Sequence, residues 1–161
     1  IFVDGLDVEQ AKLFGTVVSS PDEADIIILY LPTVFNGNQP PGSNELIDKF
    51  LSGILPDGDL TYESEIIEKA KSYSDSATLI TVVDLNRPAI LTELNEISNG
   101  LIGTFGVYDS VLYEVIFGRF SPRGRLPFEI PSSMRSVENQ KEDLPDDSTS
   151  PVFEFGHGLS Y

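Results

Sequence analysis

Ile26-Ile27-Ile28-Leu29-Tyr30-Leu31 is apolar at odd and even positions alike. A strand sends alternate side chains to opposite faces, so such a run has to be covered on both. That requirement predicts a central strand of a parallel sheet with helices packed above and below it. Thr78-Leu79-Ile80-Thr81-Val82-Val83 is a second strand rich in β-branched residues, ending at Asp84-Leu85-Asn86-Arg87-Pro88. Gly100 to Phe105 reads as a third, whose glycines permit close helix packing. Ile1-Phe2-Val3 is a short strand stopping at Asp4-Gly5, and Thr16-Val17-Val18 a minor one.

Helical periodicity fills the intervals. Asp7 is placed to cap a helix from Val8 to Phe14, with Val8, Ala11 and Phe14 on one side. Ser20-Pro21-Asp22-Glu23-Ala24 reads as a single capped turn with proline at its start. Thr61 is expected to cap a helix over Tyr62 to Tyr73, burying Ile66, Ile67 and Ala70 and pairing Glu65 with Lys69 at i,i+4. Thr92 to Ser98 is a further helix, and Asp109 opens another that runs to Gly118. Between Pro32 and Asp59 the pattern breaks down. Asn36 to Ser43 is a loop by composition, Glu45 to Leu51 a short helix, and Pro56-Asp57-Gly58-Asp59 a turn. Residues 132 to 150 are polar and contain proline, and should wrap the surface.

This alternation defines the expected fold class as α/β. Right-handed crossovers give a mostly parallel open sheet with helices on both faces, a three-layer sandwich. Arg125 to Ile130 adds a short strand near the C-terminus. Pro127 inside it removes a ladder donor, which assigns it to a sheet edge. The 161 residues fit one domain with a real core.

The acidic balance, a net charge of -16, argues against nucleic acid, whose phosphates would repel it. No apolar run approaches the roughly 18 residues of a membrane span. Cysteine is absent and His157 is the single histidine, so thiolate or histidine metal clusters are not available. The carboxylates are scattered without a calcium-loop spacing. Gly103-x-x-Gly106 lacks the Lys-Ser/Thr of a phosphate loop, and no strand is followed by a dinucleotide glycine pattern. No cofactor or metal is therefore expected. His157 lies between two glycines, with no serine on a nucleophile turn, and reads as a packing residue.

Near the C-terminus, Phe117-Gly118-Arg119-Phe120-Ser121-Pro122-Arg123-Gly124-Arg125-Leu126-Pro127 is followed by Leu144-Pro145 and then by Pro151-Val152-Phe153-Glu154-Phe155-Gly156-His157-Gly158-Leu159-Ser160-Tyr161. In that order these elements resemble the end of the second domain of family 3 glycoside hydrolases, of β-glucosidase and β-xylosidase type. The resemblance continues less specifically through Ala24 to Leu29 and Val82 to Pro88. It implies a carbohydrate partner, a retaining reaction on β-linked glycosides, and a bacterial source. It also implies that residues 1 to 161 are a fragment whose partner is an upstream β/α barrel. A chain beginning on Ile without Met fits that expectation.

Ligands of open parallel sheets bind beyond the carboxyl ends of the strands. Asn86, Arg87 and Tyr108 stand there as candidate substrate-binding residues able to hydrogen-bond sugar hydroxyls. Asn86 and Arg87 could equally do no more than shape the turn before Pro88. Glycoside hydrolysis needs two carboxyl groups. The resemblance places the nucleophile in the barrel, and an acid/base Glu in the loop after the strand equivalent to Ile26 to Leu31. That loop carries Glu45, a candidate acid/base, and Asp59, a weaker one. It lacks the Glu-Gly-x-Asp-Arg element common in the family, and Glu45 could instead be a first-turn helix residue. The expected function is to help form the sugar cleft while being inactive alone. The alternative is a non-catalytic carbohydrate-binding or docking module.

Overall fold

The computed structural model describes residues 1–34 and 58–161. Four parallel strands form one open sheet in the order β1 (Phe2–Asp4), β2 (Ile26–Leu31), β3 (Thr78–Asp84), β4 (Gly100–Thr104). Phe2 pairs with Ile27, Ile27 with Leu79, and Ile80 with Gly100. β2 and β3 occupy the interior, as their two-sided apolar pattern requires.

The pleat sorts the core into two halves. Ile27, Leu29 and Leu31 of β2, with Leu79 and Val83 of β3, face one layer. That layer holds Ile67 and Ala70 of α2 (Ser64–Ser76) and Leu94 of α3 (Thr92–Ile97). Ile28 and Val82 face the other. There Ala11 of α1 (Val8–Ala11) meets Leu112 and Tyr113 of α4 (Asp109–Ile116). The three-layer α/β architecture is thus present, with every layer reading directly from residue parity.

The β2 to β3 and β3 to β4 connections carry α2 and α3 on one face of the sheet. The β1 to β2 connection places α1 on the other face and then returns through a single turn, Pro21–Glu23, whose following Ala24 packs on the α2 side.

Several local expectations are revised. Helix α1 stops at Ala11 and continues as a turn to Phe14, so Asp7 caps a shorter helix, its Oδ1 accepting from the Glu9 amide at 2.8 Å. Thr61 does not cap α2, because its amide and hydroxyl donate to Asp59 Oδ1 at 2.8 and 2.7 Å. Lys69 pairs with Asp4 across the layers at 2.6 Å rather than with Glu65 along its own helix. Thr16 to Val18 forms no strand, although the Val18 amide donates to the Ile1 carbonyl at 2.9 Å.

Arg125 to Ile130 does not join the parallel sheet as an edge strand. It runs beside the last residues of the chain, bridging antiparallel at Ile130 and Phe153. The Ile130 amide donates to the Phe153 carbonyl and the Val152 amide to the Ile130 carbonyl, each at 2.8 Å. The Leu126 amide meets the His157 carbonyl, and the Gly156 amide the Leu126 carbonyl, each at 2.9 Å. Pro127 interrupts the ladder between these two points. The polar stretch beyond folds on buried Glu129, whose Oε1 accepts from Gln140 Nε2 at 2.9 Å and the Ser148 amide at 2.8 Å. It includes a short helix, α5 (Met134–Glu138), capped by Ser133.

Candidate functional site

The parallel strands end together, and their carboxyl ends carry Asp4, Asp84 and Thr104. Asp84 organises the centre of this edge. Its Oδ1 accepts from the Asn86 amide at 3.0 Å, and its Oδ2 accepts from Asn86 Nδ2 at 3.1 Å and from the Tyr30 hydroxyl at 3.4 Å. An aspartate at a strand end closes this turn naturally, since its short side chain reaches the amide two residues on. Burial, with Asp84 alongside, raises the Tyr30 pKa above its ordinary value. The phenol therefore stays protonated and can keep donating.

Arg87 is placed differently. Nη2 donates to the Gly58 carbonyl at 2.7 Å and Nη1 to the Val34 carbonyl at 3.4 Å. One guanidinium thus ties together two chain segments that are distant in sequence. Its fork of donors suits that use, because separate N–H groups reach separate acceptors. Next to it, Asp59 has its pKa lowered, first by the Thr61 hydroxyl, then by the Thr61 amide, with a further contribution from Arg87. The carboxylate is held ionised, which suits an acceptor and disfavours a proton donor at neutral pH.

Below the same edge, Tyr62 donates to the Pro32 carbonyl at 2.9 Å, and burial raises its pKa strongly. Tyr73 donates to Asp4 Oδ2 at 3.0 Å. Asp109 Oδ2 receives the Asp7 amide at 2.7 Å, and the Tyr113 hydroxyl donates to the Asp7 carbonyl at 3.0 Å. The edge is therefore a row of phenols and carboxylates, each fixed by its own hydrogen bonds.

Of the sequence candidates, Asn86, Arg87 and Asp59 come together on the β3 side of this edge. Tyr108 stands on the loop after β4, 85% exposed, immediately before α4. Glu45 lies outside the described residues. Sequence reading missed Asp84 and Tyr30 as the hub. The Asp-x-Asn spacing at a strand end signalled the Asp84 turn, but nothing local signalled the Tyr30 contact between neighbouring strands. Among the described residues, no three carboxylate or histidine side chains are grouped to hold a metal ion.

An open parallel α/β sheet with hydroxyls, an amide and carboxylates at its carboxyl edge is shared by many classes of protein, and comparison with known proteins makes the class specific. Residues 7–161 match the model of the glycosyl hydrolase family 3 C-terminal domain. The chain belongs to that family. It is 38% identical over 161 residues to a probable beta-glucosidase C of Aspergillus flavus, covering 99% of this chain and 24% of that protein. It is 33% identical over 165 residues to the periplasmic beta-glucosidase/beta-xylosidase of Dickeya chrysanthemi, covering 100% of this chain and again 24% of the relative. The chain thus spans about a quarter of the length of these relatives, which come from fungi as well as bacteria. The crystal structure of beta-glucosidase from Listeria innocua in complex with isofagomine shares the fold, with a TM-score of 0.66 at 20% identity. That match covers 98% of this chain and 26% of that one.

Proposed function

We propose that this domain completes the sugar cleft of a retaining β-glucosidase-like hydrolase, working against a β/α barrel in the rest of the protein. The observation that carries this reading is the loop after β4. Phe105, Val107 and Tyr108 are 44%, 47% and 85% exposed there, beside the Asp84, Asn86 and Tyr30 network. Apolar side chains left in water next to ordered polar groups suit a surface that a second domain covers.

In this reading Asn86 and Tyr108 bind sugar hydroxyls, and Arg87 positions the ends of the loop that follows β2. Hydrolysis needs a nucleophilic carboxylate and a proton donor on opposite sides of the glycosidic bond. The nucleophile comes from the barrel. Glu45 is the first candidate for the donor. Asp59, held ionised, fits an acceptor of sugar hydroxyls better than a donor. The domain alone holds one side of the cleft and is inactive.

The test is hydrolysis of 4-nitrophenyl β-D-glucoside by the isolated 161-residue chain and by the full-length protein. The chain alone should give no turnover. In the full-length protein, Asn86→Ala and Tyr108→Ala should raise KM, and Glu45→Gln should lower kcat. That last loss should be smaller for substrates whose leaving group needs no protonation. Turnover by the chain alone, or full activity in Glu45→Gln, defeats the respective part of the reading.

A further inference from the structure

Away from the carboxyl edge, β4 forms one lateral border of the sheet. A cavity of about 500 Å³ lies along it, between the sheet and the C-terminal segment that failed to join as an edge strand. Its walls are mainly apolar, with Leu85, Leu101, Phe105 and Leu126 among them. Gly103 in β4 and Gly158 in the covering segment keep it narrow. A Cβ on Gly103 would come within 2.6 Å of Leu85 Cδ1, and one on Gly158 would collide with the Gly124 carbonyl.

The charge distribution is the telling feature. The chain has 26 acidic residues and a net charge of -16, yet no carboxylate lines this cavity. Its titratable lining residues are Arg125 and His157, with Tyr absent. Arg125 donates through Nη1 to the Gly158 carbonyl and forms no ion pair among the described residues. His157 is stacked on Phe153, with ring centroids 4.7 Å apart, and its ring nitrogens have no hydrogen-bond partner there. A mainly apolar cavity with a few converging polar groups is the usual form of a small-molecule site, and this volume lies in the usual range. Arg125 and His157 stand exposed at the rim, so the guanidinium keeps its head in water while an apolar wall lies beside its stem.

We propose that this cavity binds an apolar carboxylate, alkyl or aryl. Its carboxylate is held by Arg125 with His157 beside it, and its apolar body lies along Leu101, Phe105 and Leu126. A guanidinium offers a fork matched to a carboxylate, and one arm of Arg125 remains after the contact to Gly158. The site adjoins the β4 end of the sugar edge, with Phe105 common to both, and its chemistry does not depend on the glycosidase reading.

Calorimetry on the 161-residue chain with octanoate and 4-phenylbutyrate, each against its alcohol (octanol and 4-phenylbutan-1-ol), tests this. At least one carboxylate should bind saturably and about tenfold more tightly than its alcohol, the effect of one charged hydrogen bond. Which carboxylate wins decides between an alkyl and an aryl body. Arg125→Gln should remove the preference for the carboxylate. Asn95→Trp, at an exposed position on the cavity wall, should weaken carboxylate and alcohol alike. Binding of neither carboxylate, equal affinity for acid and alcohol, or a preference that survives Arg125→Gln each overturns the proposal. Should Arg125→Gln not fold, the wild-type preference and Asn95→Trp still decide.

Discussion

Tyr113 holds the α4 layer to the start of α1, and Tyr113→Phe measures that grip. The side chain is fully buried at 0% exposure, with its ring stacked on Phe14 at 5.7 Å. Phenylalanine keeps the ring and removes only the hydroxyl that donates to the Asp7 carbonyl at 3.0 Å. A typical hydrogen bond contributes about 0.5–1.5 kcal/mol net, and an orphaned buried acceptor costs about 1–3 kcal/mol more. Here the acceptor is not orphaned, because the Asp7 carbonyl also receives the Ala11 amide at 3.3 Å. The loss should therefore sit near 1 kcal/mol, or a fall of about 2–4 °C in Tm for a domain of this size. Urea unfolding should show a lower midpoint with an unchanged slope. Asp109 grips the same residue through the Asp7 amide at 2.7 Å, so Asp109→Ala and Tyr113→Phe should couple by about 0.5 kcal/mol or more in a double-mutant cycle. A loss above about 3 kcal/mol with a changed slope would mean that the ring itself had moved. No loss at all would mean the bond to Asp7 is absent in solution. Either result refutes the argument.

Tyr73 carries a pH prediction. Burial, and then the hydrogen bond to Asp4 and its charge, raise its pKa from 10.0 to about 12. The folded chain keeps a proton that the unfolded chain releases, so the contribution is complete below pH 10 and is lost as pH rises towards about 12. Urea midpoints across that window should fall less steeply for Tyr73→Phe than for the wild type, and parallel curves would contradict the assignment. Gly103→Ala should destabilise by about 1 kcal/mol, the low end of overpacking, because the new methyl meets the Leu85 Cδ1 end, which must shift along the cavity wall. Unchanged thermal unfolding of that variant would show that Leu85 can turn aside.

Much of the fold was written in residue parity. Ile27 and Leu29 go to one layer and Ile28 to the other, and one run of six residues records both assignments. Burial acts on every residue of such a strand, so it leaves a mark at every position. Arg125 to Ile130 shows the limit of that signal. Its Pro127 correctly barred it from a central strand, but composition could not say whether its partner would be the sheet or the chain end. The answer came from Phe153 and His157, which lie more than twenty residues downstream and offer their carbonyls.

The site was legible to the same extent, and for a related reason. That Asn86 and Arg87 stand at a strand end follows from the β-branched run before them and Pro88 after them. What they do there depends on acceptors brought from elsewhere. Arg87 spends its donors on the Val34 and Gly58 carbonyls, and no side-chain pattern announces a carbonyl. Asn86 gives its side-chain amide to Asp84. A sugar would have to meet the amide already oriented by that bond, with Tyr30 on the same carboxylate. Asp84 therefore sets the geometry that any hydroxyl at this edge encounters. Its two oxygens take three donors at once, so a change there alters the direction of all of them together rather than deleting one contact.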